Sequence, residues 1–140
     1  MDFCINSYCE DIDRLMQAII VDDNNLNSEI LDTVLRQEGI EPIILDSPIQ
    51  LYSALEQVSD LRMIFLDLEF PNHDGFSVHQ KLQSDPRVRN VPIIAYSVHT
   101  SEIDVARQTG FHSFIGKPIN PDDLPGYIDK ILNGKQVWVI

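Results

Sequence analysis

The chain has 140 residues, and its 22 acidic against 10 basic side chains give a formal net charge of −12 at pH 7. The length fits one globular domain, the 44% hydrophobic content fits a real core, and the acidic excess argues against a nucleic-acid partner. With no apolar run near the roughly 18 residues of a membrane span and no basic-then-apolar start, we expect a cytoplasmic protein without membrane insertion.

The first segment, residues 1–15, shows no clear periodicity, and we expect it to be a flexible extension. Its two cysteines, Cys4 and Cys9, are the only cysteines in the sequence. In a reducing compartment we expect them to be incidental thiols rather than a disulfide or a metal site. The folded domain is expected over residues 16–134, followed by a short apolar tail, 135–140.

From Met16 onward, short apolar runs alternate with segments of helical spacing. In the first half of the domain the expected elements, in chain order, are a strand at Ala18–Val21, a helix from Leu26 ended by Gly39, a strand at Pro42–Leu45, a helix at Leu51–Val58 and a strand at Met63–Leu66. Continuous apolar runs of this kind are typical of strands buried on both faces.

The second half continues the alternation. It predicts a helix at Phe76–Leu82, a strand at Val91–Tyr96, a helix at about Ser101–Thr109, a strand at Ser113–Gly116 and a last helix at about Pro121–Leu132. If that last helix begins at Asp123, Pro125 falls in its tolerant first turn. Five strand and helix pairs predict a doubly wound α/β fold, with a five-stranded parallel sheet covered by five helices and its site beyond the carboxyl ends of the strands.

Charged and reactive side chains follow four of these strands at that edge. They are Asp22 and Asp23 after the first strand, Asp67 after the third, Ser97 after the fourth and Lys117 after the fifth. Clustered carboxylates repel one another, and a hard divalent cation with oxygen ligands, Mg²⁺ with Mn²⁺ as an alternative, would offset the repulsion. A carboxylate beside such a cation and an ammonium group can attack phosphorus and carry an acyl phosphate.

Four motifs stand in order at the predicted strand ends. They are Ile20–Asn24 with its acidic pair, Asp67–Gly75, Ile93–Ser97 with its hydroxyl, and Phe114–Pro118 with Lys117. Together they resemble the receiver domain of response regulators in two-component signalling, over about residues 16–134. The resemblance implies a flavodoxin-like topology with strand order 2-1-3-4-5.

The resemblance also implies a role for each acidic residue of the site. Asp67 would be the phosphoacceptor, and Asp23 and Asp67 would ligate Mg²⁺ directly. Asp22 would hold the metal largely through water, and the backbone carbonyl of Glu69 would complete the protein ligands.

On the opposite side of the site, the resemblance implies that Lys117 pairs with the phosphoryl group. It also implies that the Lys117–Pro118 peptide bond is cis. Ser97 would swing toward the phosphoryl group, and Phe114 would turn inward to fill the vacated space.

Three further positions are expected to tune access to the phosphoryl group and its lifetime. Val98 stands where a smaller residue is more usual, so it is expected to narrow access for small phosphodonors. The resemblance implies that Glu69 and His99 flank the entrance to the phosphoryl group, where they would bind each other or orient a water.

The implied partners are a histidine kinase or histidine phosphotransfer protein as donor and a downstream protein as target, because few residues follow the last helix. We expect a stand-alone signalling module that acts through a phosphorylation-switched protein interaction or through a phosphorelay. It would be monomeric or dimerise on phosphorylation, and it would not be an enzyme beyond its own phosphorylation and slow dephosphorylation. The alternatives are a phosphorylation-independent binding module and, less favoured because Glu69 is not a second aspartate, a phosphohydrolase with an aspartyl nucleophile.

Several residues also have ordinary structural explanations. Asp22 and Asp23 could cap the first helix, and Phe114 could be a core residue. His79 and His112 are expected at the surface or half-buried. The tail Gln136–Ile140 either folds back on the domain or forms an exposed contact for a partner.

Overall fold

The computed structural model describes residues 15–70 and 73–140, and the predicted extension with its two cysteines lies outside the described residues except for Leu15. The described residues form one sheet of six strands and five α-helices. The strands are β1 (Met16–Val21), β2 (Ile40–Leu45), β3 (Leu61–Asp67), β4 (Ile93–Ser97), β5 (Ser113–Gly116) and β6 (Trp138–Val139). The helices are α1 (Asn25–Gln37), α2 (Leu51–Gln57), α3 (Gly75–Gln83), α4 (Ile103–Gln108) and α5 (Leu124–Leu132).

The sheet is parallel throughout, with strand order β2-β1-β3-β4-β5-β6. The predicted order 2-1-3-4-5 is therefore confirmed. The predicted number of strands is wrong by one, because the tail adds a sixth strand beside β5. A two-residue strand is too short for any periodicity in the sequence to indicate it.

Strand β6 covers the edge that β5 would otherwise expose. Phe114 pairs with Trp138 in the register, and the Phe114 N–H donates to the carbonyl of Val137 at 2.8 Å. The backbone of the tail then passes over Gly116, where a Cβ atom would lie 2.9 Å from the carbonyl carbon of Ile140. A side chain at position 116 would therefore displace the tail.

The helices cover both faces of the sheet, which confirms the doubly wound arrangement. One apolar cluster packs α1 and α5 against the sheet, and the other packs α2, α3 and α4 against the opposite face. Successive strand residues alternate between them: Ala18 and Ile20 belong to the α1/α5 cluster, whereas Ile19 and Val21 belong to the α2–α4 cluster. All four are fully buried.

The same alternation assigns the strand-end residues to faces. Tyr96 packs on the α1/α5 face, so its neighbour Ser97 points to the α2–α4 face. Phe114 packs on the α2–α4 face, so Lys117, three residues later, points to the α1/α5 face. The sheet edge therefore carries two groups of polar side chains, one on each face.

The first residues of helices α4 and α5 differ from the starts predicted from the sequence. Helix α5 begins at Leu124, three residues after the predicted start at about Pro121 and one residue after the alternative start at Asp123, so Pro125 lies in its first turn. Helix α4 begins at Ile103, later than predicted, because a 3-10 turn at Thr100–Glu102 comes first. The first helix is capped by Asn24, whose side chain accepts the N–H of Leu26, and not by either neighbouring aspartate.

The expected exposure of His79 is wrong. Its side chain is 2% exposed, and its ring stacks on Phe111 with centroids 3.8 Å apart. Burial lowers the pKa of His79 from 6.5 to about 4. His112 is half-buried, as expected. None of the helices in the described ranges has both the length and the apolar character needed to cross a bilayer.

Candidate functional site

Three carboxylates meet at the carboxyl edge of β1 and β3. Asp22, Asp23 and Asp67 each place one oxygen within 4.8 Å of the others. Asp22 and Asp67 are 1% and 2% exposed, respectively, whereas Asp23 is exposed. The chain turns sharply after each strand, so the next backbone N–H groups bind these carboxylates: Asn24 donates to Asp22 at 2.8 Å and Glu69 to Asp67 at 3.0 Å.

Lys117 brings a cation into this cluster from the end of β5. Its Nζ lies 3.0 Å from Asp67 Oδ2 and 3.9 Å from Asp22 Oδ2, and its side chain is 6% exposed. The Lys117–Pro118 peptide bond is cis, as the resemblance implied. One buried ammonium group therefore lies within 4 Å of two buried carboxylates.

The carboxyl of Asp67 has a strongly perturbed pKa. Burial, then a hydrogen bond shared with Asp22 and the Asp22 charge, raise the pKa of Asp67 from 3.8 to about 7, against the opposing effects of the Glu69 N–H and Lys117. A carboxyl with this pKa changes its charge near neutral pH. Strong perturbation by burial and a specific charge is typical of functional sites.

The loop after β3 depends on a glycine. A Cβ atom at Gly75 would lie 2.8 Å from the Cα of Leu68 and 3.1 Å from the carbonyl oxygen of Asp67. Only a residue without a side chain lets α3 begin this close to the end of β3. Asp74, which caps α3 by accepting the N–H of Phe76, fixes the same junction.

Tyr96 belongs to the site although the sequence analysis treated it only as a strand residue. Its hydroxyl donates to Asp22 Oδ2 at 2.6 Å, and its ring centroid lies 4.6 Å from the Lys117 ammonium group. Burial and then the Asp22 charge raise the pKa of Tyr96 well above 10, so the hydroxyl keeps its proton and donates. Period-two alternation from Ile94 would have indicated that Tyr96 faces the acidic pair.

Ser97 lies on the other face, fully buried, in a second polar cluster. Its hydroxyl contacts carboxylate oxygens of Glu69 and, at 3.1 Å, Glu102, and it accepts the N–H of His99 at 2.9 Å. A hydroxyl has one proton to donate, so the two carboxylates compete for it. Glu102 was missed by the sequence analysis, because a 3-10 turn carries no periodic signal.

The three predicted tuning positions lie around Ser97. Val98 is 57% exposed and donates its N–H to Glu69 at 3.4 Å. We expected Glu69 and His99 either to bind each other or to orient a water. Among the described residues, Glu69 instead forms hydrogen bonds with Ser97 and Val98, and the orientation of a water stays a prediction. His99 takes part through its backbone, and its side chain is exposed.

Phe114 is fully buried in the α2–α4 cluster, beside its register partner Trp138. The guanidinium group of Arg107 lies 4.6 Å from the Trp138 ring and holds it from the side of α4. Phe114 thus already lies inside the protein. Its side chain is already buried in this conformation, so the predicted rotation from an outward to an inward position stays a prediction.

The acidic cluster fits a divalent metal ion. Three carboxylates converge while a single ammonium group is within 4 Å of two of them, which leaves an excess of negative charge. Oxygen ligands with this excess suit Mg²⁺ or Mn²⁺ rather than a soft metal.

The chain is similar in sequence to response regulators and to their receiver domains. The family model described as "Response regulator receiver domain" matches residues 18–129. The chain is 24% identical over 120 residues to chemotaxis protein CheY1 of Helicobacter pylori, covering 84% of this chain and 97% of that protein. It is 33% identical over 118 residues to the DNA-binding response regulator MtrA of Mycobacterium tuberculosis, covering 81% of this chain and 49% of that protein.

Among solved structures, the fold is similar to the receiver domain of a sensor histidine kinase from Pseudomonas aeruginosa, which has a magnesium ion coordinated in its active site cleft. The TM-score is 0.71 at 23% identity, covering 84% of this chain and 97% of that one.

Proposed function

The chain belongs to the response regulator receiver domain family, and on that premise we propose that it accepts a phosphoryl group on Asp67 and signals through it. The observation that carries this proposal is the position of Asp67. Its buried carboxylate lies against the Lys117 ammonium at 3.0 Å and within 4.8 Å of two further carboxylates that can hold a cation. A nucleophile, a fixed cation and a set of metal ligands are the parts that phosphoryl transfer to a carboxylate requires.

In the proposed reaction an oxygen of Asp67 attacks phosphorus in a phosphohistidine donor. The P–N bond breaks, the histidine leaves and takes up a proton, and an acyl phosphate forms on Asp67. Lys117 would pair with a phosphoryl oxygen and stabilise the charge that develops there. Ser97 would give up its carboxylate partners and donate its hydroxyl proton to the phosphoryl group.

The metal would be held by Asp23 and Asp67 directly, by Asp22 largely through water and by the backbone carbonyl of Glu69. When bound, Mg²⁺ supplies positive charge that offsets the phosphoryl oxygens and the clustered carboxylates. The magnesium ion in the similar Pseudomonas aeruginosa receiver domain supports this assignment.

We further propose a histidine kinase or a histidine phosphotransfer protein as donor and a protein as downstream target. The phosphoryl group adds only a few charge-assisted contacts, so it would bias two conformations that differ by a few kcal/mol. Ser97 and Phe114 are the proposed switch residues. The protein would act as a monomer or as a dimer formed on phosphorylation, and it would catalyse only its own phosphorylation and slow dephosphorylation.

The test is incubation with Mg²⁺ and an acyl phosphate donor, followed by intact mass, for wild type and Asp67→Ala. Wild type is expected to gain one base-labile phosphoryl mass, and Asp67→Ala none. Asp46→Ala is the matched control, because Asp46 is an exposed aspartate just after β2 at the same sheet edge. It should be phosphorylated like wild type.

A second donor removes one ambiguity. If Val98 bars small donors, phosphotransfer from a phosphorylated histidine kinase should still label wild type and not Asp67→Ala. Failure with both donors would contradict the proposal and favour a binding module that works without phosphorylation.

A further inference from the structure

We propose that Tyr96 is a positioning residue of the phosphoacceptor site: by donating its hydroxyl proton to Asp22, it leaves the ammonium group of Lys117 to Asp67. This inference rests on the proposed function of Asp67 and adds to it a residue that acts through two others. The experiments below separate its failure from failure of the proposed function.

The distances define a competition for Lys117. Its Nζ lies between two buried carboxylates, 3.0 Å from Asp67 Oδ2 and 3.9 Å from Asp22 Oδ2. The Asp22 oxygen that faces Lys117 is the one bound by the Tyr96 hydroxyl, at 2.6 Å. The other oxygen of Asp22 accepts the N–H of Asn24 at 2.8 Å. Both oxygens of Asp22 therefore have close neutral donors.

Without the Tyr96 hydroxyl, the nearest donor to Asp22 Oδ2 among these contacts would be Lys117. A buried carboxylate that lacks a hydrogen-bond donor attracts any cation in reach, because the surroundings screen charge poorly. Lys117 would then divide its time between Asp22 and Asp67. The phenol thus supplies what Asp22 needs and keeps the ammonium beside the nucleophile.

The tyrosine ring is held firmly enough for this role. Tyr96 is fully buried, and its ring makes an edge contact with Phe65 at a centroid distance of 6.4 Å and an interplanar angle of 86°. In the register between β3 and β4, Tyr96 is the direct partner of Asp67. The ring also lies 4.6 Å from the Lys117 ammonium, so it borders the same space that the ammonium occupies.

The main test is Tyr96→Phe, which keeps the ring, its packing and its cation–π contact and removes one O–H group. Because phosphoryl transfer needs Lys117 beside Asp67, the phosphorylation rate at saturating donor and Mg²⁺ should fall by about 10-fold, the effect of one hydrogen bond to a charged group. The Mg²⁺ concentration for half-maximal rate should change less than about twofold. Tyr127→Phe on α5 is the matched control and should behave like wild type.

A double-mutant cycle identifies the path of the effect. The affinity for beryllofluoride, a phosphoryl mimic, is measured for wild type, Tyr96→Phe, Lys117→Gln and the double variant. If Tyr96 acts through Lys117, the tyrosine substitution lowers affinity in wild type and changes it less than about twofold in the Lys117→Gln background. Asp22→Asn, which removes the competing charge, should likewise suppress the effect of Tyr96→Phe.

Three results would overturn the inference while leaving the proposed function intact. They are a wild-type rate in Tyr96→Phe, full additivity in the cycle, and a change confined to the Mg²⁺ requirement. Thermal unfolding of each variant shows whether it is folded at the assay temperature, and if Tyr96→Phe is not, both assays are repeated for all variants at a lower temperature at which it is folded. Absence of phosphorylation and of beryllofluoride binding in wild type would instead contradict the proposed function.

Discussion

The two faces of the sheet edge carry polar clusters of opposite character. On the α1/α5 face, the carboxylates of Asp22 and Asp67 have a buried ammonium, a phenol and two backbone N–H groups as partners. On the α2–α4 face, two carboxylates share the one hydroxyl proton of Ser97, and in the described part of the chain no cationic side chain forms a salt bridge with either. We call the first cluster balanced because each of its two buried carboxylates has hydrogen-bond donors of its own, although the cluster keeps a net negative charge. The second cluster is unbalanced because two carboxylates compete for one hydroxyl proton.

This difference indicates which group moves. In the balanced cluster, displacing the Lys117 ammonium or the Tyr96 hydroxyl leaves a buried carboxylate without its donor, which is strongly unfavourable. In the Ser97 cluster, the hydroxyl can exchange one acceptor for another at little cost in free energy. We therefore expect a phosphoryl group to find the first cluster preorganised and to rearrange the second.

The most direct way to break the balance is Lys117→Gln. Removing the ammonium takes away the charge that would stabilise the transferring phosphoryl group, so the phosphorylation rate should fall roughly 100- to 1,000-fold. The rate is measured with an acyl phosphate donor at saturating Mg²⁺. Lys130→Gln, on the exposed side of α5, is the control. A loss below tenfold would show that the cluster does not depend on its cation.

The balanced cluster should also affect stability through pH. Because the pKa of Asp67 is about 7 in the folded protein, against an ordinary 3.8, the folded state binds this proton more tightly, and the free energy of unfolding should fall as pH rises from about 4 to 7. His79, with a lowered pKa of about 4, acts in the opposite sense: it destabilises the fold as pH falls from 6.5 toward 4. The two contributions oppose each other in one window.

Variants separate these contributions. Asp67→Asn removes the first contribution, and in EDTA it should therefore be more stable than wild type at pH 8. The pKa difference corresponds to roughly 4 kcal/mol, and we expect on the order of 2 kcal/mol because the amide loses the charge interaction with Lys117. The stability of this variant should rise with pH between 4 and 6.5. His79→Phe, which keeps a ring against Phe111, should leave the opposite slope. Denaturant unfolding at several pH values measures both. A pH profile of Asp67→Asn parallel to that of wild type would refute the raised pKa of Asp67.

The unbalanced cluster can be probed with Glu102→Gln. One charged competitor for the Ser97 hydroxyl disappears, and so does its repulsion of an incoming anion. Beryllofluoride should therefore bind about 2- to 10-fold more tightly, the range of one modest hydrogen bond. Glu29→Gln, an exposed acid on α1, should bind as wild type does. Weaker binding by Glu102→Gln would mean that Glu102 positions Ser97 for the phosphoryl group.

The smallest effect is expected outside both clusters. Arg107→Gln removes the cation over the Trp138 ring, and it should lower the free energy of unfolding by about 0.5–1 kcal/mol while leaving the phosphorylation rate unchanged. Trp138 is the only tryptophan in the chain, so its emission follows the unfolding directly. A changed phosphorylation rate would show that the tail strand and the site are coupled.

The features with strong local patterns are predictable from the sequence, whereas those that depend on tertiary contacts are not. The apolar runs predicted five strands, and the residues after them located Asp22, Asp67 and Lys117, because parallel strands bring their carboxyl ends to one edge. The position of Tyr96 was predictable, because the alternation of side chains along β4 places Tyr96 on the same face of the sheet as Ile94. Glu102 was not, because it sits on an irregular turn.

The other two misses have similar physical causes. His79 was expected at the surface or half-buried on α3, whereas its ring stacks on Phe111, far along the chain, and is buried there. Strand β6 is held by backbone hydrogen bonds to β5 and by Gly116, which has no side chain to block the tail. Neither contact leaves a periodic pattern in the sequence.

The approach of the tail to Gly116 also decides where an attached label would sit. The carbonyl carbon of Ile140 lies beside Gly116, the residue that precedes Lys117, so any peptide, fluorophore or affinity tag joined after Ile140 starts next to the end of β5. A bulky fusion there is expected to disturb the pairing of β6 with β5. A small environment-sensitive dye at the same place is expected instead to follow movements of β5, the strand that carries Phe114 and leads to Lys117.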